Sequence, residues 1–180
     1  MDTNFSKVEA NTKHAKELAQ LSAETFYNTF APDNIKENID NYIAEHFTEK
    51  ALLNELADAQ NKFLLFYNGD DSIGYVKLRF NSVPPKLICV NAVEIQRLYL
   101  EKAFHGTGIA QTMMDECIVI AKHRQASVLW LAVWEKNPRA IRFYKKFGFK
   151  EFGTTIFMMA QEVQHDIMMK LELITIKKIE

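Results

Sequence analysis

Two glycines, Gly106 and Gly108, occupy a short segment between a strand-like run of residues and an amphipathic helical pattern. Glycine lets backbone N–H groups turn outward and approach a ligand without an intervening Cβ. The helix that follows adds its unpaired N-terminal N–H groups and the positive end of its dipole, so the segment favours an anion such as a phosphate. An ordinary strand-to-helix turn is the alternative, and the glycines alone do not decide between the two interpretations.

The common nucleotide-binding motifs do not match this segment. A Rossmann fingerprint needs a third Gly or Ala where the chain has Gln111, and a Walker A loop needs a Gly-Lys-Ser or Gly-Lys-Thr ending that the segment lacks. The sequence therefore indicates a loop for a phosphate-bearing ligand that is neither a dinucleotide nor a magnesium-bound triphosphate.

Two segments carry a resemblance to a known family. The first, His105-Gly106-Thr107-Gly108-Ile109-Ala110, resembles the Gln/Arg-x-x-Gly-x-Gly/Ala pyrophosphate loop of the GNAT superfamily of acetyl-CoA-dependent N-acetyltransferases. The second, residues 137–149, is similar to the other signature of that family. The two segments follow each other in the family's order, with one predicted strand between them. The resemblance covers residues 62–173.

The resemblance implies acetyl-CoA as co-substrate, with no metal, and a set of residues that bind it. In this family the strand before the loop separates from its neighbour, and the pantetheine arm pairs with it as an added strand would. An asparagine amide also binds the arm, and the alternative role for that residue here is a helix cap before Pro138. The implied binding residues are Leu98, Tyr99, Leu100, His105, Gly106, Thr107, Gly108, Ile109, Ala110, Gln111 and Asn137.

The resemblance also assigns a base and an acid for direct attack of an amine on a thioester. An amine with a pKa of about 10 is mostly protonated at pH 7, so a proton must leave before attack. Glu94 stands where several GNAT enzymes carry a basic Glu, to act through water or to attract the amine; a solvated carboxylate is the alternative. Tyr144 matches the tyrosine that protonates the departing thiolate, and a core aromatic beside Phe143 and Phe147 is the alternative.

The loop departs from the family pattern at its first position, which is usually Gln or Arg and here is His105. Because imidazole is largely neutral at pH 7, this position is expected to bind phosphate more weakly or in a pH-dependent way. Main-chain N–H groups supply most contacts in such a loop, so acetyltransferase activity is still expected.

Three further segments, residues 21–30, 133–137 and 166–169, are similar to PaiA-type spermidine/spermine acetyltransferases and extend the resemblance over nearly the whole chain. They imply a small polyamine as the acceptor. Glu24 and Glu37 are candidates for a second ammonium group, although solvated helix faces explain them equally well. A protein or peptide N-acetyltransferase shares the same motifs. A non-catalytic acetyl-CoA-binding regulatory module is disfavoured, because both Glu94 and Tyr144 are present.

The elements that position these residues follow from periodicity. Helical spacing predicts two helices over residues 15–30 and 35–47 and a third one capped by Thr48, and β-branched and aromatic runs predict a hairpin around Asn68-Gly69-Asp70-Asp71. A strand over 88–100 leads into the loop. The remainder predicts helix, strand, helix and two strands, at 109–121, 128–134, 138–148, 150–159 and 165–174. The order indicates an α/β fold with a mixed sheet and helices on both faces, and the family resemblance implies the GNAT-like form of it, in which the sheet is mostly antiparallel.

Composition places further bounds on function. A chain of 180 residues that is 48% hydrophobic predicts one domain. The resemblance implies a helical acceptor-side segment over about 1–60 and an acetyl-CoA-binding core over 62–173 within it. A net charge of −1 argues against a nucleic-acid partner, and no apolar run is long enough for a membrane span. Cys89 and Cys117 are expected in the core of a reduced, cytoplasmic protein, and the five scattered histidines argue against a zinc site. A monomer and a homodimer both remain open.

Overall fold

The computed structural model describes residues 5–84, 86–87 and 91–173. Within this part, seven strands and five α-helices are formed. The strands are β1 (Phe5–Glu9), β2 (Asn61–Asn68), β3 (Asp71–Phe80), β4 (Ala92–Leu100), β5 (Val128–Trp134), β6 (Lys150–Met159) and β7 (Glu162–Glu172). The helices are α1 (Ala15–Phe30), α2 (Lys36–His46), α3 (Glu49–Ala57), α4 (Ile109–His123) and α5 (Pro138–Lys146).

The strands form one mixed sheet in the order β1-β2-β3-β4-β5-β7-β6. Every neighbouring pair is antiparallel except β4 and β5, which are parallel. One apolar core lies between the sheet and α4, and a second lies between the sheet and α1, α2 and α3. The predicted mixed, mostly antiparallel sheet with helices on both faces is confirmed.

The helices form where apolar spacing predicts them. In α1 the buried residues include Ala15, Leu18, Ser22 and Phe26, which recur every three or four positions and face the sheet. Thr48 caps α3, since its side chain accepts a hydrogen bond from the Ala51 N–H at 3.1 Å. The predicted stripe of α4 is buried at Ile109, Met113, Met114, Cys117 and Ala121.

The predicted hairpin is also present. Strands β2 and β3 are joined through Gly69 and Asp70, and Gly69 has a φ of 63°, a backbone conformation that favours glycine. Strand β5 is buried at all but one position, as its continuous apolar sequence predicts for a strand covered on both faces.

Some boundaries differ from the sequence-based predictions. The segment 1–60, predicted as helical, also contributes strand β1, which pairs antiparallel with β2 at the edge of the sheet. The described part of the strand predicted over 88–100 begins at Ala92, and Cys89 lies outside the described residues. Strand β7 starts at Glu162 rather than His165, and its predicted end, Ile174, is also outside them.

No helix in the described part of the chain is long and apolar enough to cross a membrane.

Candidate functional site

Strands β4 and β5 separate part of the way along their length. They are paired only at Ala92–Val128, Val93–Leu129 and Glu94–Trp130, although β4 continues to Leu100 and β5 to Trp134. The pairing of β4 with β3 skips Gln96, which is therefore an extra residue in β4. Such a bulge bends the strand that carries it, so a gap opens between the carboxyl-terminal halves of β4 and β5.

The gap exposes backbone groups of β4. Because the Glu101 N–H donates to the Ile73 carbonyl at 2.8 Å, and because successive residues of a strand alternate in direction, the polar groups of Tyr99 face β3. Those of Leu98 and Leu100 face the gap. An extended chain entering the gap would meet these groups, of which the Leu100 carbonyl oxygen already accepts one hydrogen bond from His105.

A cavity of about 210 Å³ lies at the mouth of the gap. Three parts of the chain surround it. They are the end of α1 with the turn that follows, the end of β4 with residues 105–108 (the glycine loop), and the end of β5 with the start of α5. Its lining consists of Thr25, Asn28, Thr29, Asp33, Leu100, Glu101, Lys102, His105, Trp134, Lys136, Asn137 and Arg139.

The glycine loop leads directly into α4. Gly106 and Gly108 have φ values of 82° and 95°, and no atom lies within 4 Å of the position that a Cβ would take on either residue. Gly108 caps α4 without a side-chain hydrogen bond. The N–H groups of Ile109, Ala110 and Gln111 have no acceptor within the helix, because they belong to its first turn. The loop therefore presents unpaired donors beside open space.

His105 links the end of β4 to α5. Its Nε2 lies 3.0 Å from the Leu100 carbonyl oxygen, which can only accept, so Nε2 carries the proton and Nδ1 is the acceptor. That acceptor receives a hydrogen bond from the Arg139 guanidinium. Burial lowers the pKa of His105, and the Arg139 charge lowers it further, so the imidazole is neutral at pH 7.

Arg139 is a functional candidate that the sequence analysis did not identify. Its position two residues after Asn137 within the second signature was the only available signal, because His105, its partner, is 34 residues away in the chain. The contact orients a guanidinium toward the cavity beside the glycine loop. A guanidinium binds phosphate with several donors at once, so this pair supplies a positive charge that neutral His105 cannot.

Asn137 caps α5 and also lines the cavity. Its side-chain oxygen accepts a hydrogen bond from the Ala140 N–H at 3.1 Å, as expected of a capping residue before Pro138. The amide nitrogen remains a potential donor toward the cavity. The two roles considered for Asn137 are therefore compatible.

Tyr144 is partly buried in α5 and does not line the cavity. It packs against the core on the α4 side, with its ring centroid 5.4 Å from that of Phe143 and 5.9 Å from that of Phe149. Burial raises the pKa of the Tyr144 hydroxyl well above its usual value, and the Cys117 thiol adds to this effect. The phenol therefore keeps its proton throughout the physiological pH range.

Glu94 lies at the last paired position of β4 and β5, deeper in the sheet than the cavity. Its Oε2 accepts a hydrogen bond from the Ser82 hydroxyl at 2.7 Å and lies 3.6 Å from the Arg79 guanidinium. The Trp130 Nε1 donates to the Ser82 carbonyl at 2.7 Å, which fixes the Ser82 backbone. The Glu94 carboxylate is therefore held in place by the side chains of Ser82 and Arg79.

The structure therefore brings together Leu100, His105 and Asn137 around one cavity, next to the N-terminus of α4, and places Glu94 and Tyr144 farther inside. Glu24 and Glu37 are exposed on α1 and α2. Within the described residues, no three His, Cys, Asp or Glu side chains are grouped so that they could hold a metal ion.

Comparisons with known proteins identify the family to which the chain is similar. The model of the acetyltransferase (GNAT) family matches residues 16–149. The chain is 29% identical over 172 residues to an uncharacterised N-acetyltransferase in the pepI 3′ region of Lactobacillus delbrueckii subsp. lactis, covering 96% of this chain and 99% of that protein. It is 29% identical over 137 residues to the spermidine N(1)-acetyltransferase of Thermoplasma acidophilum, covering 74% of this chain and 80% of that protein.

Solved structures share the fold. The crystal structure of the PaiA N-acetyltransferase from Thermoplasma acidophilum in complex with coenzyme A matches with a TM-score of 0.78 at 24% identity, covering 94% of this chain and 99% of that chain.

Proposed function

The chain belongs to the GNAT family of acetyltransferases and is an acetyl-CoA-dependent N-acetyltransferase, and from this premise we propose that its acceptor is a polyamine such as spermidine or spermine. The observation that carries the proposal is a pair of carboxylates that lie beside the basic Lys102, Lys136 and Arg139 in the lining of the cavity. Asp33 and Glu101 line it, and the pKa of Glu101 is raised by burial and by the nearby Glu24 and Asp71. A polycation would relieve this repulsion. Similarity to the Thermoplasma spermidine N(1)-acetyltransferase supports the same acceptor.

The residues present fit acetyl-CoA. The β4–β5 gap accepts an extended arm, and the open space beside Gly106 and Gly108 has room for phosphate oxygens. We assign the pantetheine arm to the backbone of residues 98–100 and the amide of Asn137. The pyrophosphate is assigned to the main-chain N–H groups of residues 106–111, with His105 and Arg139 alongside.

In the proposed reaction, the acceptor nitrogen attacks the thioester carbonyl carbon and the carbon–sulfur bond breaks. Glu94 receives the proton that the ammonium must lose, through water, or holds the cation near the gap; its contacts with Ser82 and Arg79 fix the carboxylate. Tyr144 gives its hydroxyl proton to the departing thiolate. Burial raises the pKa of this hydroxyl, so the phenol is protonated and has a proton to donate when the thiolate leaves.

The experiment that tests the polyamine proposal is an amine panel. Spermidine and spermine are expected to have a higher kcat/KM than n-butylamine, mainly through KM, because the additional ammonium groups are held by carboxylates. This attraction is screened by salt, so the KM for spermidine should rise more steeply with ionic strength than the KM for n-butylamine, which carries a single ammonium group. CoA release is the measurement. Equal efficiency on n-butylamine, or a preference for a peptide N-terminus, would defeat the polyamine assignment and leave acetyltransferase activity intact.

A second prediction concerns His105 and Arg139. His105→Ala is expected to weaken CoA binding by no more than about tenfold, since it removes one hydrogen bond that orients Arg139. Arg139→Ala should weaken it more, because it removes the charge itself. The double variant should resemble Arg139→Ala alone, since His105 acts through the guanidinium. Calorimetric titration with CoA measures all three. Additive losses in the double variant would show that His105 contacts the phosphate independently.

A further inference from the structure

Asp166 lies on β7 in a position that the reaction described above does not use. It is paired with Trp134 of β5 on one side and with Thr155 of β6 on the other. Residues paired directly across antiparallel strands project from the same face of the sheet. Trp134 also contacts Phe30 of α1, with ring centroids 5.6 Å apart, so this face is the one covered by α1 and α2. Asp166 therefore faces the acceptor side of the sheet.

Aromatic side chains surround this carboxylate. The aromatic wall consists of Phe30, Tyr42, Trp134 and Phe157. Tyr42 of α2 lies 5.4 Å from Phe157 between ring centroids, and its hydroxyl is close enough to Asp166 for the carboxylate charge to affect its pKa. Phe157 is two residues from Thr155 on β6 and so projects from the same face as Asp166. Aromatic faces attract cations and also pack against methylene groups.

The Asp166 carboxylate has no cationic partner among the described residues: no side chain there forms a salt bridge with it or donates a hydrogen bond to it. Burial, with a smaller contribution from the nearby Glu135, raises its pKa to about 6. A partly buried carboxylate without a counter-charge costs stability, and such groups are concentrated at binding sites. Lys136 lies over the Trp134 ring, 5.8 Å from its centroid, and forms no salt bridge with Asp166, so a bound ammonium group would supply the missing counter-charge.

We infer that Asp166 and the aromatic wall form the subsite for a non-reacting ammonium group of the acceptor, which makes Asp166 a specificity-determining residue. This inference rests on the proposed polyamine function. The carboxylate accepts hydrogen bonds from the ammonium group, and the rings contact the methylene groups on either side of it.

The position of β7 explains why this ammonium group is not the reacting one. The gap that receives the thioester lies between β4 and β5, whereas β7 lies on the opposite side of β5, about 4.8 Å farther across the sheet. Trp134 borders both regions, since it lines the cavity and pairs with Asp166. One amine of a polyamine can therefore reach the gap while another remains beside Asp166.

Asp166→Asn tests the inference, because it keeps the shape of the side chain and removes the charge. At pH 8 the variant is expected to show a KM for spermidine about 10–100-fold higher, the usual effect of losing a charged hydrogen bond. Its kcat, its KM for acetyl-CoA and its kcat/KM for n-butylamine should match those of the wild type. Asp115→Asn, which changes an exposed aspartate on α4, is the matched control and should leave every parameter unchanged.

The possible outcomes separate the two proposals. If the wild type does not prefer spermidine over n-butylamine, the polyamine proposal fails and this inference fails with it. If the wild type prefers spermidine and Asp166→Asn keeps that preference, only the Asp166 subsite is overturned. An equal fall in kcat for both amines would make Asp166 part of the chemistry instead, and a lower Tm accompanied by a general loss of activity would make its role structural. An unchanged or higher Tm supports the inference, because the neutral side chain no longer buries an unpaired charge.

Discussion

Tyr144→Phe is expected to lower kcat for acetyl transfer ~10²–10⁴-fold, the range that a proton-transfer group contributes. The substitution removes only the phenolic hydroxyl group. The ring keeps its contacts with Phe143 and Phe149, so α5 and the adjoining Asn137 should remain in place. CoA affinity should therefore be unchanged. Steady-state kinetics with spermidine and calorimetric titration with CoA measure the two effects separately.

A matched control is available in Tyr67→Phe. This change also removes one tyrosine hydroxyl, which donates a hydrogen bond to Glu17 Oε2 at 3.0 Å, but in strand β2 and outside the β4–β5 gap. It should cost about 1 kcal/mol of stability and leave kcat unaltered. If Tyr144→Phe also keeps wild-type turnover, Tyr144 is a core aromatic and another group protonates the thiolate.

The fold could be predicted where burial imposes a period on the sequence. Helix α4 buries one face, which gives an apolar stripe, and strand β5 buries both faces, which gives a continuous apolar run. The first and last residues of both elements could therefore be predicted closely from the sequence. Strand β1 gives no such signal. All five of its residues are exposed at the edge of the sheet, and it is joined to β2 by backbone hydrogen bonds and by the Glu9–Lys62 salt bridge, so burial imposes no period on it.

The candidate site also contains both residues that a local sequence pattern marks and residues that only the packing of distant segments brings together. Glycines with positive φ and a capping asparagine are local requirements, so Gly106, Gly108 and Asn137 stand out in the sequence. The contact of His105 with Arg139 and the aromatic surroundings of Asp166 depend on how distant segments pack. No local pattern marks such pairs, because any one member is an ordinary surface or strand residue until its partner is placed beside it.

Gly108→Val is expected to weaken CoA binding by at least ~10²-fold, as the loss of two or more hydrogen bonds to a charged group implies. Gly108 has a φ of 95°, which a β-branched residue adopts only with strain of about 1–3 kcal/mol. If the backbone relaxes, the N–H groups of Gly108 and Ile109 turn away from the phosphate. If it does not relax, the valine side chain fills the open space beside them. Either response removes the anion site.

Gly69→Val separates this effect from backbone strain. Gly69 has a φ of 63° and, like Gly108, has no atom within 4 Å of a Cβ position, but it lies in the β2–β3 turn, which contributes none of the proposed CoA contacts. Both variants should therefore lose a similar 1–3 kcal/mol of stability, about the cost of a strained residue. Only Gly108→Val should lose CoA affinity in titrations at a temperature where both proteins are folded. Normal CoA binding by folded Gly108→Val would exclude the loop as the phosphate site, since no main-chain donor there could then be essential.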